Sequence, residues 1–177
     1  MRRLGALAVA ALLLSGCATR PAPIPQRQPP RPAPAPLPIP APVSPATYVS
    51  QAASIDLFVI RSSELALVRS PNARIRYAAG RLIAAHQGTA AQLSFAGRRL
   101  NLLPPASMLP QQQAMYDELE TAGDFDAAYL RLQRAVHGAA LALHGSYAAN
   151  GTSPTLRLVA QNAAAVERSH LDMLRRL

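Results

Sequence analysis

Residues 154–174, PTLRLVAQNAAAVERSHLDML, decide the fold. Leu156, Val159, Ala163, Val166, Met173 and Leu174 recur at three- and four-residue steps. In a helix of about 3.6 residues per turn that spacing gathers them on one face. Glu167 and His170 lie on the same face, in the Glu-x-x-His arrangement that aims two potential ligands from one helix at one point. A helix that buries its apolar stripe must therefore bury these two polar groups with it. Pro154 suits the first turn, and Asn150-Gly151 before it reads as the stop of another helix.

The same pattern repeats towards the N-terminus. A helix begins after Asp124, a good N-cap, and places Tyr129, Leu130, Val136, Ala140 and Leu141 on a face that also holds Asp126, Gln133 and His137. A short helix is expected at about Gln111–Thr121. Ahead of Pro104-Pro105, a helix ending near Asn101 carries Ile75, Ala79, Leu82, Ile83, Ala90 and Leu93, with His86 inside the stripe. Ser70-Pro71 reads as its start, with Ser70 as N-cap. The first helix runs from about Thr47 and shows Leu57, Ile60, Leu67 and Val68 on one stripe, with Glu64 among them. No strand candidate survives. Residues 46–177 are thus expected to form an all-α four-helix bundle with a short extra helix in the connection between helices 2 and 3.

Helix geometry also sets depth. Counted from the first hairpin turn at about 1.5 Å per residue, Asp56 and His86 sit about 21 and 22 Å away; from the second hairpin, His137 and His170 sit about 20 and 24 Å away. One cross-section should therefore hold His86, His137 and His170 with Asp56 and Glu167. Such imidazoles either stay neutral, hydrogen-bonded to Tyr129, Gln133, Asp56 or one another, or share a cation. His144 is expected at a surface or helix-capping position, and Glu64 as a buried acid paired with an Arg or a His. Whether Glu64 and His144 meet depends on whether the connection from Leu102 to Gly123 crosses the length of the bundle.

The chain begins differently. Residues 1–16 have the layout of a lipoprotein signal peptide: Arg2 and Arg3, then an apolar run from Leu4 to Leu14 too short for a stable span. Leu14-Ser15-Gly16-Cys17 resembles the bacterial lipobox, so Cys17 is expected to carry acyl chains, palmitate among them, and to attach the protein to the membrane. Ala18 in place of Asp points to the outer membrane, facing the periplasm. Residues 17–45 follow as a Pro-rich, disordered linker whose backbone is restricted to polyproline II. Arg20, Arg27 and Arg31 in it are candidates for contact with anionic lipid or cell-wall polymer.

Composition narrows the classes. All 18 basic residues are Arg, the formal charge is +9, and all 9 acidic residues follow residue 46, so no concentrated basic footprint for nucleic acid is visible. Cys17 is the only Cys, which excludes an internal disulfide and a multi-thiolate zinc site. Ser62, Ser63 and Ser169 lack a His-and-acid constellation, and there is no Gly-rich phosphate loop.

Several of these residues together resemble the domain of unknown function 4142 family: Asp56-Leu57-Phe58, Ser62-Ser63, Leu65-Ala66-Leu67, Arg69-Ser70, Tyr77-Ala78, His86, Phe125-Asp126 with Tyr129, Gln133 and His137, and His170-Leu171. The resemblance covers residues 46–176 and implies a ferritin-like bundle in a bacterial exported or lipid-anchored protein. Val59, Ala85 and Ile83 stand where relatives, or ferritin-type di-iron sites, carry acids. Three expectations follow. The first is a non-enzymatic, lipid-anchored envelope protein acting as a binding or structural module. The second is a periplasmic protein binding a transition metal (Zn, Cu, Mn or Fe) through His86, His137 and His170 with Asp56 or Glu167, supported by Tyr129, Gln133, Asp126 and Glu64. A di-iron oxidase comes third, because the chain is short of acids.

Overall fold

The computed structural model describes residues 43–177; the expected signal peptide over residues 1–16, Cys17 and most of the expected Pro-rich linker lie outside the described residues. The described residues form five helices and no strand: α1 (Pro45–Arg69), α2 (Ala73–Arg98), α3 (Pro110–Thr121), α4 (Phe125–Asn150) and α5 (Pro154–Leu174). None is long and apolar enough to cross a membrane. The four long helices pack in a ring, α1 on α2, α2 on α5, α5 on α4 and α4 on α1, while α3 leans on α1 and α4.

Caps fix the helix starts. Ser44, Asn72, Asp124 and Ser153 each accept a backbone N–H of the first turn. Ser70 is not the N-cap of α2, as the sequence suggests. It closes α1, its N–H donating to Ala66 O, and its hydroxyl accepts from Asn72 N at 3.2 Å, leaving Asn72 to cap α2.

The connection after α2 crosses the bundle. Tyr48, near the start of α1, stacks on Tyr147, near the end of α4, with ring centroids 4.0 Å apart. Arg69, at the end of α1, lies over the Phe125 ring at the start of α4 and donates to the carbonyls of Leu119, Glu120 and Ala122. Thus α4 starts at the end where α1 finishes. We call the end where α1 begins proximal and the other distal. At the proximal side Gly97 lets the chain turn: Leu102 N donates to Gly97 O at 2.8 Å, and a Cβ on Gly97 would collide with the Leu102 carbonyl.

The apolar core lies in two parts. The distal cluster includes Phe58, Val59, Ile75, Leu82, Leu119, Tyr129, Val136 and Leu174; the proximal one includes Tyr48, Val49, Leu93, Tyr147 and Leu156. The α1 stripe differs from the expected one. Leu67 and Val68 are exposed and Leu57 and Ile60 only half-buried, whereas Ala52, Ile55, Phe58, Val59, Ser62, Ser63 and Ala66 are buried. Small Ala and Ser side chains let neighbouring helices approach closely, and that contact outweighs the bulkier apolar residues on the other side.

Candidate metal centre

A layer of buried polar side chains occupies the seam between the two apolar clusters. Asp56 comes from α1, His86 from α2, His137 and His144 from α4, and Glu167 and His170 from α5; all are buried. The rings of His86, His137 and His170 form a triangle whose centroids are 5.3 Å apart on every side. One ligand atom each from His86, His137, Glu167 and His170 lies within 4.8 Å of the others.

Hydrogen bonds orient two of these rings. His137 Nδ1 lies 2.7 Å from the Gln133 carbonyl, which only accepts, so Nδ1 carries the hydrogen and Nε2 presents a lone pair. His86 Nδ1 lies 2.8 Å from Asp56 Oδ1, which also accepts from the Thr89 hydroxyl at 2.8 Å. A carboxylate receiving two donors directs the His86 hydrogen to Nδ1 and leaves its Nε2 bare. The two bare Nε2 atoms face each other at 3.4 Å. Two lone pairs at that distance need a proton or a cation between them.

A proton is disfavoured. Burial pushes His86 down to about 4 and His137 to about 3, the latter helped by the charge of His86. Burial likewise lowers His144 and His170 to about 4. Glu167 is pushed up to about 9, first by burial and then by Asp56; burial raises Asp56 to about 7 against the pull of Thr89. Without an ion, the layer at neutral pH holds neutral imidazoles and a protonated Glu167.

The donors fit a cation. Glu167 Oε1 is 3.9 Å from His86 Nε2 and Glu167 Oε2 is 3.7 Å from His137 Nε2, too far for hydrogen bonds. Glu167 Oε2 and His170 Nδ1 are buried with no partner at all, a state that calls for a ligand. Tetrahedral coordination at about 2.0–2.1 Å puts donor atoms about 3.3–3.4 Å apart. The His86–His137 pair already stands at 3.4 Å, and the Glu167 oxygens need to close by only a few tenths. Two carboxylates, Glu167 in the cluster and Asp56 behind His86, match the charge of a divalent ion. Asp56 on His86 and the Gln133 carbonyl on His137 are the supports that metal-binding imidazoles ordinarily have.

The remaining candidates fall elsewhere. Gln133 supports His137 through its backbone, while its side chain donates to Ser62 Oγ at 2.8 Å. Tyr129 lies further towards the distal end, bonded to Ser63 at 2.9 Å. Asp126 is half-buried near the start of α4 with its Oδ1 unpartnered, apart from the layer. Glu64 is exposed rather than a buried acid: eight residues beyond Asp56, it is turned about 80° round the helix and raised about 12 Å. His144 is buried rather than at the surface. Seven residues past His137 it returns to the same face, its Nδ1 3.0 Å from Tyr48 OH and its Nε2 4.0 Å from Glu167 Oε1.

The protonation states predict the response to acid. An imidazole whose folded pKa is lowered lends stability that is lost as pH falls through 6.5 towards the folded value. A carboxyl whose folded pKa is raised lends stability that is lost as pH rises. Below 6.5 the four imidazoles outnumber the two carboxyls. The melting temperature of metal-free protein should therefore fall steadily from pH 6.5 to about 4, and more gently from 7 to about 9, where unfolded chains hold Glu167 ionised and the folded protein still keeps it protonated. A flat profile over both ranges contradicts these assignments.

A family model described as "Domain of unknown function (DUF4142)" matches residues 29–177. Among curated proteins no relative matches the sequence. Solved structures share the fold. "CopM in the Cu(II)-bound form" has a TM-score of 0.63 and 15% identity, over 75% of this chain and 94% of that one. "CopM in the Ag-bound form (by co-crystallization)" has a TM-score of 0.61 and 15% identity, over 75% and 93%. A DUF305 fragment from Deinococcus radiodurans has a TM-score of 0.62 and 18% identity, over 75% and 96%.

Proposed function

The chain belongs to the DUF4142 family, and we propose that it is a metal-binding protein that holds one divalent transition-metal ion inside a helical bundle. One observation carries this reading: His86, His137, Glu167 and His170, from three helices, bring ligand atoms within 4.8 Å of one another, with Glu167 Oε2 and His170 Nδ1 buried and unpartnered. Three imidazoles with a carboxylate suit Zn, Cu or Fe(II), and among divalent ions Cu(II) binds such donors most tightly. The likeness to copper- and silver-bound CopM supports copper as the ion to test first. The ligands are buried, which suits sequestration rather than turnover. The crossing connection between α2 and α4 supports a ferritin-like arrangement, with a mononuclear His-rich centre in place of a carboxylate-rich di-iron one.

Titration of metal-free protein with Cu(II) and Zn(II) tests the proposal. Saturation at one ion per chain is expected; absence of binding, or binding that survives loss of His86 and His137 together, removes it.

The sequence around Cys17 supports a second element of the reading. The protein acts in the cell envelope, lipid-anchored and facing the periplasm, with the Pro-rich linker between anchor and bundle. Metabolic labelling with palmitate should mark the wild-type chain and leave C17A unlabelled; equal labelling of both removes the anchor.

A further inference from the structure

The acidic residues outside the buried layer are confined to one half of the bundle, while arginines occur in both. Glu64, Asp117, Glu118, Glu120, Asp124, Asp126 and Asp172 all lie in the distal half, on the end of α1, the end of α3, the start of α4 and the end of α5. Between the buried layer and the proximal end no acidic residue occurs among the described residues. The charged residues there are Arg98, Arg99 and Arg157.

The same end exposes apolar bulk. Phe95 is 62% exposed and Leu103 76%, with Leu100 also exposed between them in sequence. The Arg99 guanidinium lies 5.9 Å from the Phe95 ring centre, and Arg98 and Leu103 line one groove between α1 and α2. Asp56 lines the same groove but is buried, so the acid is not presented at the surface; aromatic and leucine side chains beside arginines, with no exposed acid among them, are what the headgroup region of an anionic bilayer takes. Residues 1–42, with the apolar run from Leu4 to Leu14 and the lone Cys17, join the bundle at this end.

We propose that the proximal end of the bundle docks on an anionic phospholipid surface, with Phe95, Leu100 and Leu103 entering the headgroup region and Arg98 and Arg99 facing phosphates. Charge complementarity favours this occupant over a protein partner. The inference is independent of the metal reading, since none of these residues belongs to the cluster of His86, His137, Glu167 and His170.

The test uses the full chain with C17S, so that no acyl group contributes and an added Cys can carry an environment-sensitive fluorophore. Labelled L103C and, as the distal control, V68C are mixed with vesicles of phosphatidylcholine alone or with about a third phosphatidylglycerol. The probe at position 103 should brighten several-fold and shift to the blue only with the anionic vesicles, and the probe at 68 should not respond. R98Q/R99Q should weaken vesicle binding read by the probe at 103 by about tenfold or more, since each surface Arg contributes roughly fivefold. Because the probe reports its own depth, attachment through residues 1–42 alone leaves it in water and overturns the proposal. So do equal responses at 68 and 103, a response to isolated cell wall but not to vesicles, or a shift that grows with protein concentration without lipid.

Discussion

Replacing Glu167 by Gln is expected to leave the metal-free protein folded and at least as stable as wild type, while lowering metal affinity by a factor of 100 or more. The two halves of this result share one cause. Burial holds the Glu167 carboxyl near 9, so at neutral pH it is already neutral, and Gln offers the same shape without ionisation. A divalent ion needs the carboxylate. Its entry must expel the Glu167 proton, so wild-type affinity should rise about tenfold per pH unit between the imidazole range near 4 and about 9 if Asp56 stays ionised, and more steeply below 7 if it does not. Calorimetry in buffers of different ionisation enthalpy should find protons released by wild type at pH 8, and about one fewer for any binding left in E167Q. An E167Q protein that binds as tightly as wild type removes Glu167 from the ligand set.

Loss of His137 should act on both stability and binding. The ring is fully buried between the two core clusters, so H137A leaves a cavity and should cost about 2–4 kcal/mol without metal. With an ion present the gap widens, because a ligand at about a thousand times its dissociation constant adds about 4 kcal/mol to the native state. For a bundle of this size that is a rise in melting temperature on the order of 10–15 °C. Wild type should show it with Cu(II), and H137A should show none. A variant that still gains several degrees would mean that the stabilising ion sits elsewhere.

Much of this arrangement is legible in the residues themselves. Glu167 and His170 share a stripe with leucines and alanines, and a helix cannot bury one set without the other. Rise per residue sets His86 level with Asp56, counted from the first hairpin turn, and His137 level with His170, counted from the second; the two pairs meet because each lies about halfway along the bundle. The face of α1 is harder to read. Leu67 and Val68 are more hydrophobic than Ser62, Ser63 and Ala66, yet closeness of packing against α2 and α4 selects the smaller set, and closeness is a property of the partners. Glu64 is misplaced for the same reason. His144 follows His137 by seven residues and its burial could have been inferred from that step alone, but its pairing with Tyr48 requires knowing that α4 runs back towards the start of α1. That direction depends on the crossing connection, whose length permits it without compelling it.

In the proposed site one ion sits among three imidazole nitrogens and one carboxylate at the seam of the core. Electron paramagnetic resonance of the protein loaded with one equivalent of Cu(II) reads that ligand set from its nitrogen couplings. A single copper species with superhyperfine splitting from three equatorial nitrogens, reduced to two in H86A, is the expected spectrum. A spectrum of several surface-bound species, unchanged by H86A and H137A, would contradict the account.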